Sequence, residues 1–417
     1  MTNPDWLSLD HIWLPYTQMK AAPLPLPVVS AQGVRLKLAD GRELVDGISS
    51  WWTACHGYGH PHIQKAVGEQ LAKMPHVMFG GLAHEPAYRL ARRLAALLPG
   101  DLNHVFFSES GSVSVEVALK MAVQFWLNRG ERRPKFVSFR HGYHGDTFAT
   151  MAICDPEEGM HTMFSGVLPE QFVVDVPDTK GKRDAFEEIL RRNGSEIAAV
   201  VVEPLVQGAG GMKFHDSEVL RNLRSACDRH GLLLIFDEIF TGFARTGTMF
   251  ACQQAGAAPD IICLSKALTG GTAPLAATIA SDEVYRAFLS DDQSHALMHG
   301  PTYMANPLGC AAANASLDLF ESEPRLDQVS AISEQLREEL SPCRRLHGVK
   351  DVRVKGAIGV VQLEKPVRSA ELRAKFVEKG TWIRPFGDIA YLTPPFIIAP
   401  NDLSVLTRAI YDVLRVE

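Results

Sequence analysis

Leu232-Leu233-Leu234-Ile235-Phe236-Asp237-Glu238 is the segment from which the architecture can be read. Five apolar residues in a row, closed by two acids, leave no polar face. Such a strand is buried on both sides, as in a parallel sheet covered by helices. The same pattern recurs at His104–Phe107, Lys135–Phe139, Ile197–Val202, Ile261–Leu264 and Pro274–Ala280. Helical spacing fills the intervals, as at Val113–Trp126 and Ser217–His230. Strands alternating with helices predict an α/β fold with a mostly parallel central sheet.

Away from that centre the character changes. A long helical stretch, Ala312–Leu340, is followed by short strands around Val349–Glu364 and by the Pro- and aromatic-rich Trp382–Ile398. The reading is a large domain over 51–311 and a smaller α+β domain over 312–417. Residues 1–50 form an N-terminal arm and part of the small domain, with the Pro-rich Pro15–Pro27 packed against the body. No internal repeat, low-complexity tract or heptad seam is present.

With 417 residues, 46% hydrophobic and 22% charged, the chain is long enough for a sizeable core and too apolar for disorder. A net charge of −6 argues against a nucleic-acid partner. No apolar run is long enough to span a membrane. Met1–Asp10 has two acids and no apolar signal core, so export is not expected. Seven cysteines without a CxxC pair read as reduced thiols at packing positions in a cytoplasmic protein.

The chemistry is expected just past the end of each strand, because sites in open α/β sheets form beyond the carboxyl ends. Ser108-Glu109-Ser110-Gly111-Ser112 comes after the first run and His141-Gly142-Tyr143-His144-Gly145 after the second. Glu203-Pro204, Asp237-Glu238 and Ser265-Lys266 come after the next three. Common nucleotide, zincin and hydrolase-elbow signatures are missing. His56, His60 and His62 lack nearby Cys or acid ligands and read as loop histidines, so no metal is expected.

The remaining set suits a phosphate-bearing aldehyde cofactor. A lysine such as Lys266 at the end of a buried strand loses its proton readily and can form a Schiff base, although alone it would more often be a snorkelling lysine. Asp237 would pair with a pyridinium nitrogen; alone it could simply cap a helix. An ion pair at about 4 Å gives roughly 4 kcal/mol at an effective dielectric near 20, about three pK units. Ser110-Gly111-Ser112, opening the Val113–Trp126 helix, offers free amides to a phosphate. Tyr143 offers a ring to stack on the pyridine, or simply packs.

In this order, Gly111-Ser112, Gly142-Tyr143-His144-Gly145, Glu203-Pro204, Asp237-Glu238-Ile239, Gly242-Phe243-Ala244-Arg245-Thr246-Gly247, Ser265-Lys266-Ala267 and Gly300-Pro301-Thr302 resemble the class III pyridoxal-phosphate aminotransferases of fold type I. The resemblance runs over nearly the whole chain. Finer segments, His11–Thr17, Asp46–Trp52, His76–Gly81, Met298–Thr302 and Trp382–Gly387, resemble the branch that aminates 8-amino-7-oxononanoate to 7,8-diaminononanoate in biotin biosynthesis, with S-adenosylmethionine as donor. The alternative is a class III aminotransferase for another ω-amine or diamine, for example with lysine as donor. An idle scaffold is disfavoured by the presence of both Lys266 and Asp237.

The resemblance implies that Lys266 holds pyridoxal 5'-phosphate and shuttles the proton, while Asp237 pairs with the ring nitrogen. Gly111 and Ser112 would bind the phosphate, with Pro301 and Thr302 reaching it from the other subunit of a homodimer. Tyr143 would stack on the ring and touch substrate. Tyr16, Trp51 and Trp52 would wall the substrate slot, and Gly300 would border it. Trp51 and Trp52, if in a strand, face opposite ways, which favours Trp51 as the direct contact. Arg384 would take the distal carboxylate, with Tyr391 and Arg245 as further substrate contacts; their alternative roles are a core aromatic and a salt-bridge residue. Many ω-amino-acid enzymes of the class carry an acid where Ala209 stands, in Gln207-Gly208-Ala209-Gly210-Gly211. The switchable arginine gate for α-carboxylates is therefore expected to be absent.

Overall fold

The computed structural model describes residues 4–157, 161–164 and 166–416, so the first three residues of the arm lie outside the described part. Its centre is a seven-stranded sheet in the order Leu102–Ser108, Ala276–Ser281, Ile261–Leu264, Leu233–Asp237, Ile197–Val202, Lys135–Phe139 and Phe172–Val174. Ala276–Ser281 runs antiparallel to both neighbours; the other pairings are parallel. All six apolar runs read from the sequence are strands of this sheet, within two residues at either end. Phe172–Val174 is the seventh and has no such signature, because three half-buried residues are too short to show a period.

Ile197–Val202, Leu233–Asp237, Ile261–Leu264 and Ala276–Ser281 are buried throughout, as their unbroken apolar runs require. The helix Gly111–Asn128 covers one face, packing Val115, Leu119, Ala122 and Phe125 in one cluster with Ala199, Val201, Ile235 and Ile261. Trp126 Nε1 donates to Ala198 O at 2.9 Å, fastening that helix to the sheet. All seven cysteines are free and buried.

The expected single helix over Ala312–Leu340 is two helices, Pro307–Ser322 and Arg325–Leu340. Pro324 causes the break, since the residue before a proline is pushed to extended backbone; Glu323 sits at φ −122°, ψ 151°. Short strands come next, as expected, at Val349–Lys355 and Ile358–Leu363, joined by Ile389–Leu392 in an antiparallel sheet. A further sheet gathers Val28–Gln32, Arg35–Leu38 and Glu43–Asp46 from one end of the chain with Thr381–Trp382 from the other, the last pair parallel. Among the described residues no helix is long and apolar enough to cross a membrane.

Candidate active site

Beyond the carboxyl ends of the central strands lies a cavity of about 400 Å³. Lys266, Asp237, Tyr143, Gly111, Ser112, Tyr16, Trp51, Trp52, Arg384 and Tyr391 line it, together with Ala209. Gly300, Pro301, Thr302 and Arg245 do not. Gly300 and Thr302 are exposed on this chain's surface and Pro301 is half-buried.

Lys266 lies two residues past the strand Ile261–Leu264 and opens the 3-10 turn Lys266–Thr269. It adopts φ +46°, a left-handed conformation that a lysine rarely takes without surrounding constraint. Ser265 supplies part of it, its Oγ donating to Leu275 O at 2.9 Å. Lys266 Nζ stands 4.5 Å from the Trp52 ring centroid. Burial depresses its pKa to about 8, against the opposing pull of the Asp237 and Glu203 carboxylates.

Asp237 ends its strand, buried, with Oδ1 accepting from Ile239 N at 3.1 Å. His144, also buried, donates from Nδ1 to Asp237 Oδ2 at 2.8 Å. Burial alone would lower the His144 pKa, but the Asp237 bond and charge raise it. This bond satisfies Asp237 Oδ2 in the interior, and removing His144 would leave that buried oxygen without its partner, at about 1–3 kcal/mol. The sequence pattern contains His144 within a motif but assigns it no role, and its position two residues past Gly142 is the only local signal.

Glu203 is a second unassigned group. Its Oε2 accepts from Tyr143 N at 3.0 Å and its Oε1 from Gly208 N at 2.9 Å, which fixes the Tyr143 loop over the cavity. Burial lifts its pKa to about 7. Phe240, 4.3 Å from Trp52 between ring centroids, completes the aromatic wall.

At the helix Gly111–Asn128, Ser110 Oγ accepts from Val113 N at 3.3 Å. The chain comes very close opposite: a Cβ at Gly145 would stand 2.4 Å from Ser112 Oγ. This amide-rich corner fits a phosphate at a helix start. With an amine of depressed pKa on one side and a charge-held carboxylate at the base, the donor set fits pyridoxal phosphate.

The outer end is built on loops. Tyr16 brings the N-terminal arm onto the body, donating to Asp146 Oδ2 at 2.6 Å with its hydroxyl 3.2 Å from that of Tyr143. Arg384 lies over the Trp51 ring at 4.3 Å and, among the described residues, has no carboxylate within ion-pair distance. Trp51 and Trp52 do not occupy a strand. Ser49, Ser50, Trp51 and Trp52 have φ of +50°, +47°, +59° and +75°, a left-handed turn that turns both indoles to the cavity. Each such residue costs about 1–2 kcal/mol. Trp52 is buried and meets Tyr391, while Trp51 is partly exposed and meets Tyr16.

Arg245 is placed in the core behind the cavity. It donates to Pro394 O at 2.9 Å and Ala357 O at 3.3 Å, and its guanidinium faces the Phe396 ring at 4.5 Å. His56 is likewise internal, bonded to Ser316 and accepting from Arg325 Nε, while His62 pairs with Asp318.

The sequence profile described as aminotransferase class III matches residues 16–414. A relative from Corynebacterium glutamicum named adenosylmethionine-8-amino-7-oxononanoate aminotransferase is 45% identical, covering 100% of both chains. One of the same name from Mycobacterium leprae is 46% identical over 97% of this chain and 94% of its own. Among solved structures, adenosylmethionine-8-amino-7-oxononanoate aminotransferase from Methanocaldococcus jannaschii superposes with a TM-score of 0.93 at 33% identity, covering 97% of each chain. A PLP-bound amine transaminase from an uncultivated Pseudomonas species gives 0.90 at 31%, over 98% of this chain and 99% of that one. The chain therefore belongs to the class III aminotransferase family, as a pyridoxal-phosphate-dependent transaminase of fold type I.

Proposed function

We propose that the protein moves the amino group of S-adenosylmethionine to 8-amino-7-oxononanoate, giving 7,8-diaminononanoate, in two half-reactions at one site. The observation that carries the reading is Arg384, a cation without an acidic partner among the described residues, at the far end of an aromatic slot from Lys266. A chain bearing an amine at one end and a carboxylate at the other fits those two ends. The carboxylate would gain a charge-assisted bond of about 1.5–3 kcal/mol. Ala209 lines the same slot and adds no carboxylate to it. The names of the relatives point the same way.

When bound, pyridoxal phosphate supplies an electron sink that acidifies the substrate carbon bearing nitrogen. Lys266 is the amine that would hold the aldehyde. Its depressed pKa gives Nζ a neutral form near neutral pH, able to take the proton from carbon and return it. Asp237, backed by His144, would keep the ring nitrogen protonated. Gly111 and Ser112 would hold the phosphate, and Tyr143, with its backbone fixed by Glu203, would cover the ring. Trp52, Phe240 and Tyr391 exclude water from the lysine side of the slot.

The same reading makes the protein a cytoplasmic homodimer. Away from this chain's own cavity, half-buried Pro301 and exposed Thr302 would serve the partner's phosphate and Gly300 would border its slot.

The test is a single-turnover absorbance experiment on purified holoenzyme. S-adenosylmethionine should convert the cofactor band to the pyridoxamine form, and 8-amino-7-oxononanoate should restore it. Conversion by lysine but not by S-adenosylmethionine would overturn the donor; failure of 8-amino-7-oxononanoate to restore the band would overturn the acceptor.

A further inference from the structure

The left-handed turn Ser49–Trp52 contains no glycine, so its conformation must be imposed from outside. One group that imposes it, beside the Ser49 Oγ bond to Thr393 O, is Asp46, wholly buried at the end of the strand Glu43–Asp46. Asp46 Oδ1 accepts from Ile48 N at 2.8 Å, and Oδ2 accepts from Ser50 N at 3.0 Å and from Tyr58 OH at 2.5 Å. Tyr58 in turn lies 2.8 Å from Ser50 Oγ. Among the described residues Asp46 has no ion-pair partner, so its carboxylate is spent on the backbone of the turn and on Tyr58. The same residue is in register with Trp382, and Gly47 N donates to Trp382 O at 3.0 Å, two positions before Arg384. One carboxylate thus sits where the segment bearing Trp51 and the segment bearing Arg384 meet.

We infer that Asp46 is a positioning residue for the distal end of the slot, fixing the Trp51 ring against Arg384 and so selecting ligands that carry a remote carboxylate. The ligand class rests on the function proposed above. Trp52 is buried against Phe240 and Tyr391 and is held by packing, whereas the partly exposed Trp51 rests on the turn and meets Tyr16 and Arg384. Loosening the turn therefore moves Trp51 first and leaves the lysine end in place.

The experiment measures nonanoate, a nine-carbon carboxylate, binding to holoenzyme by calorimetry, alongside kcat and KM with 8-amino-7-oxononanoate. Asp46→Asn should weaken nonanoate and raise KM by about tenfold, with kcat changed by less than about threefold. In a Trp51→Phe background the Asp46→Asn loss should shrink below about twofold, because both changes act through one ring. Losses that multiply in the double variant, an equal fall in kcat, or unchanged nonanoate binding would each overturn the inference. Should Asp46→Asn not fold, Tyr58→Phe removes one donor and keeps the carboxylate; its smaller weakening, about threefold, should show the same dependence on Trp51. A wild type that binds nonanoate without aminating 8-amino-7-oxononanoate would sink the substrate reading and leave this cycle standing. A wild type that binds no nonanoate would sink the positioning role as well.

Discussion

At the inner end of the cavity, Lys266 and Asp237 leave the carboxyl ends of wholly buried strands, and the acid already has its hydrogen-bond partners. At the outer end, Tyr16, Trp51 and Arg384 stand on loops, the first two at positive φ, and the arginine waits for an acid. The difference separates two tasks. Chemistry common to the family is fixed to the rigid sheet, where a small displacement would be costly. Recognition of one substrate is left to turns that can change without disturbing the core.

Three measurements put that contrast at risk. Lys266→Ala should cost at least about 10³-fold in kcat while the thermal unfolding of the protein barely shifts, since the inner end acts by proton transfer as well as by binding. Normal turnover in that variant would end the mechanism. Arg384→Ala should raise KM for 8-amino-7-oxononanoate by about 10–100-fold with a much smaller effect on the S-adenosylmethionine half-reaction. Equal losses in both half-reactions would show that the two ends do not divide the work. Finally, capture of pyridoxal phosphate by the apoprotein needs a neutral amine. Because burial lowers Lys266 to about 8, protonation below that value should slow capture. The expected fall is about tenfold from the plateau above pH 8 down to pH 7. Nonanoate binding at the outer end should be flat across the same window, since a guanidinium stays charged there. A capture rate still rising steeply at pH 10 would mean an ordinary lysine.

The inner end was legible because its signals are local. An apolar run predicts a buried strand, and the polar residues after Phe107, Phe139, Val202 and Leu264, with Asp237 ending its own run, converge once the sheet is drawn. His144 escaped because nothing local ties a histidine to an acid on another strand; the pairing exists only after folding. The Ser49–Trp52 turn escaped for a sharper reason. Its residues favour other conformations, and what overrides them is a buried carboxylate together with a hydroxyl bond from Ser49 to Thr393 O, 344 residues away. In the helical region Pro324 did announce the break that a continuous apolar pattern concealed.

The parallel pairing of Glu43–Asp46 with Thr381–Trp382 also bears on how the molecule assembles. All seven strands of the central sheet leave the ribosome between Leu102 and Ser281. The outer wall joins segments more than three hundred residues apart, so it closes only when the C-terminal part has been synthesised. A nascent chain can then have a nearly complete lysine end while its recognition wall is still open, with the edge of Glu43–Asp46 unpaired. Truncation near the C-terminus would remove Arg384 and Trp51's support together, a loss of selectivity written into the order of synthesis.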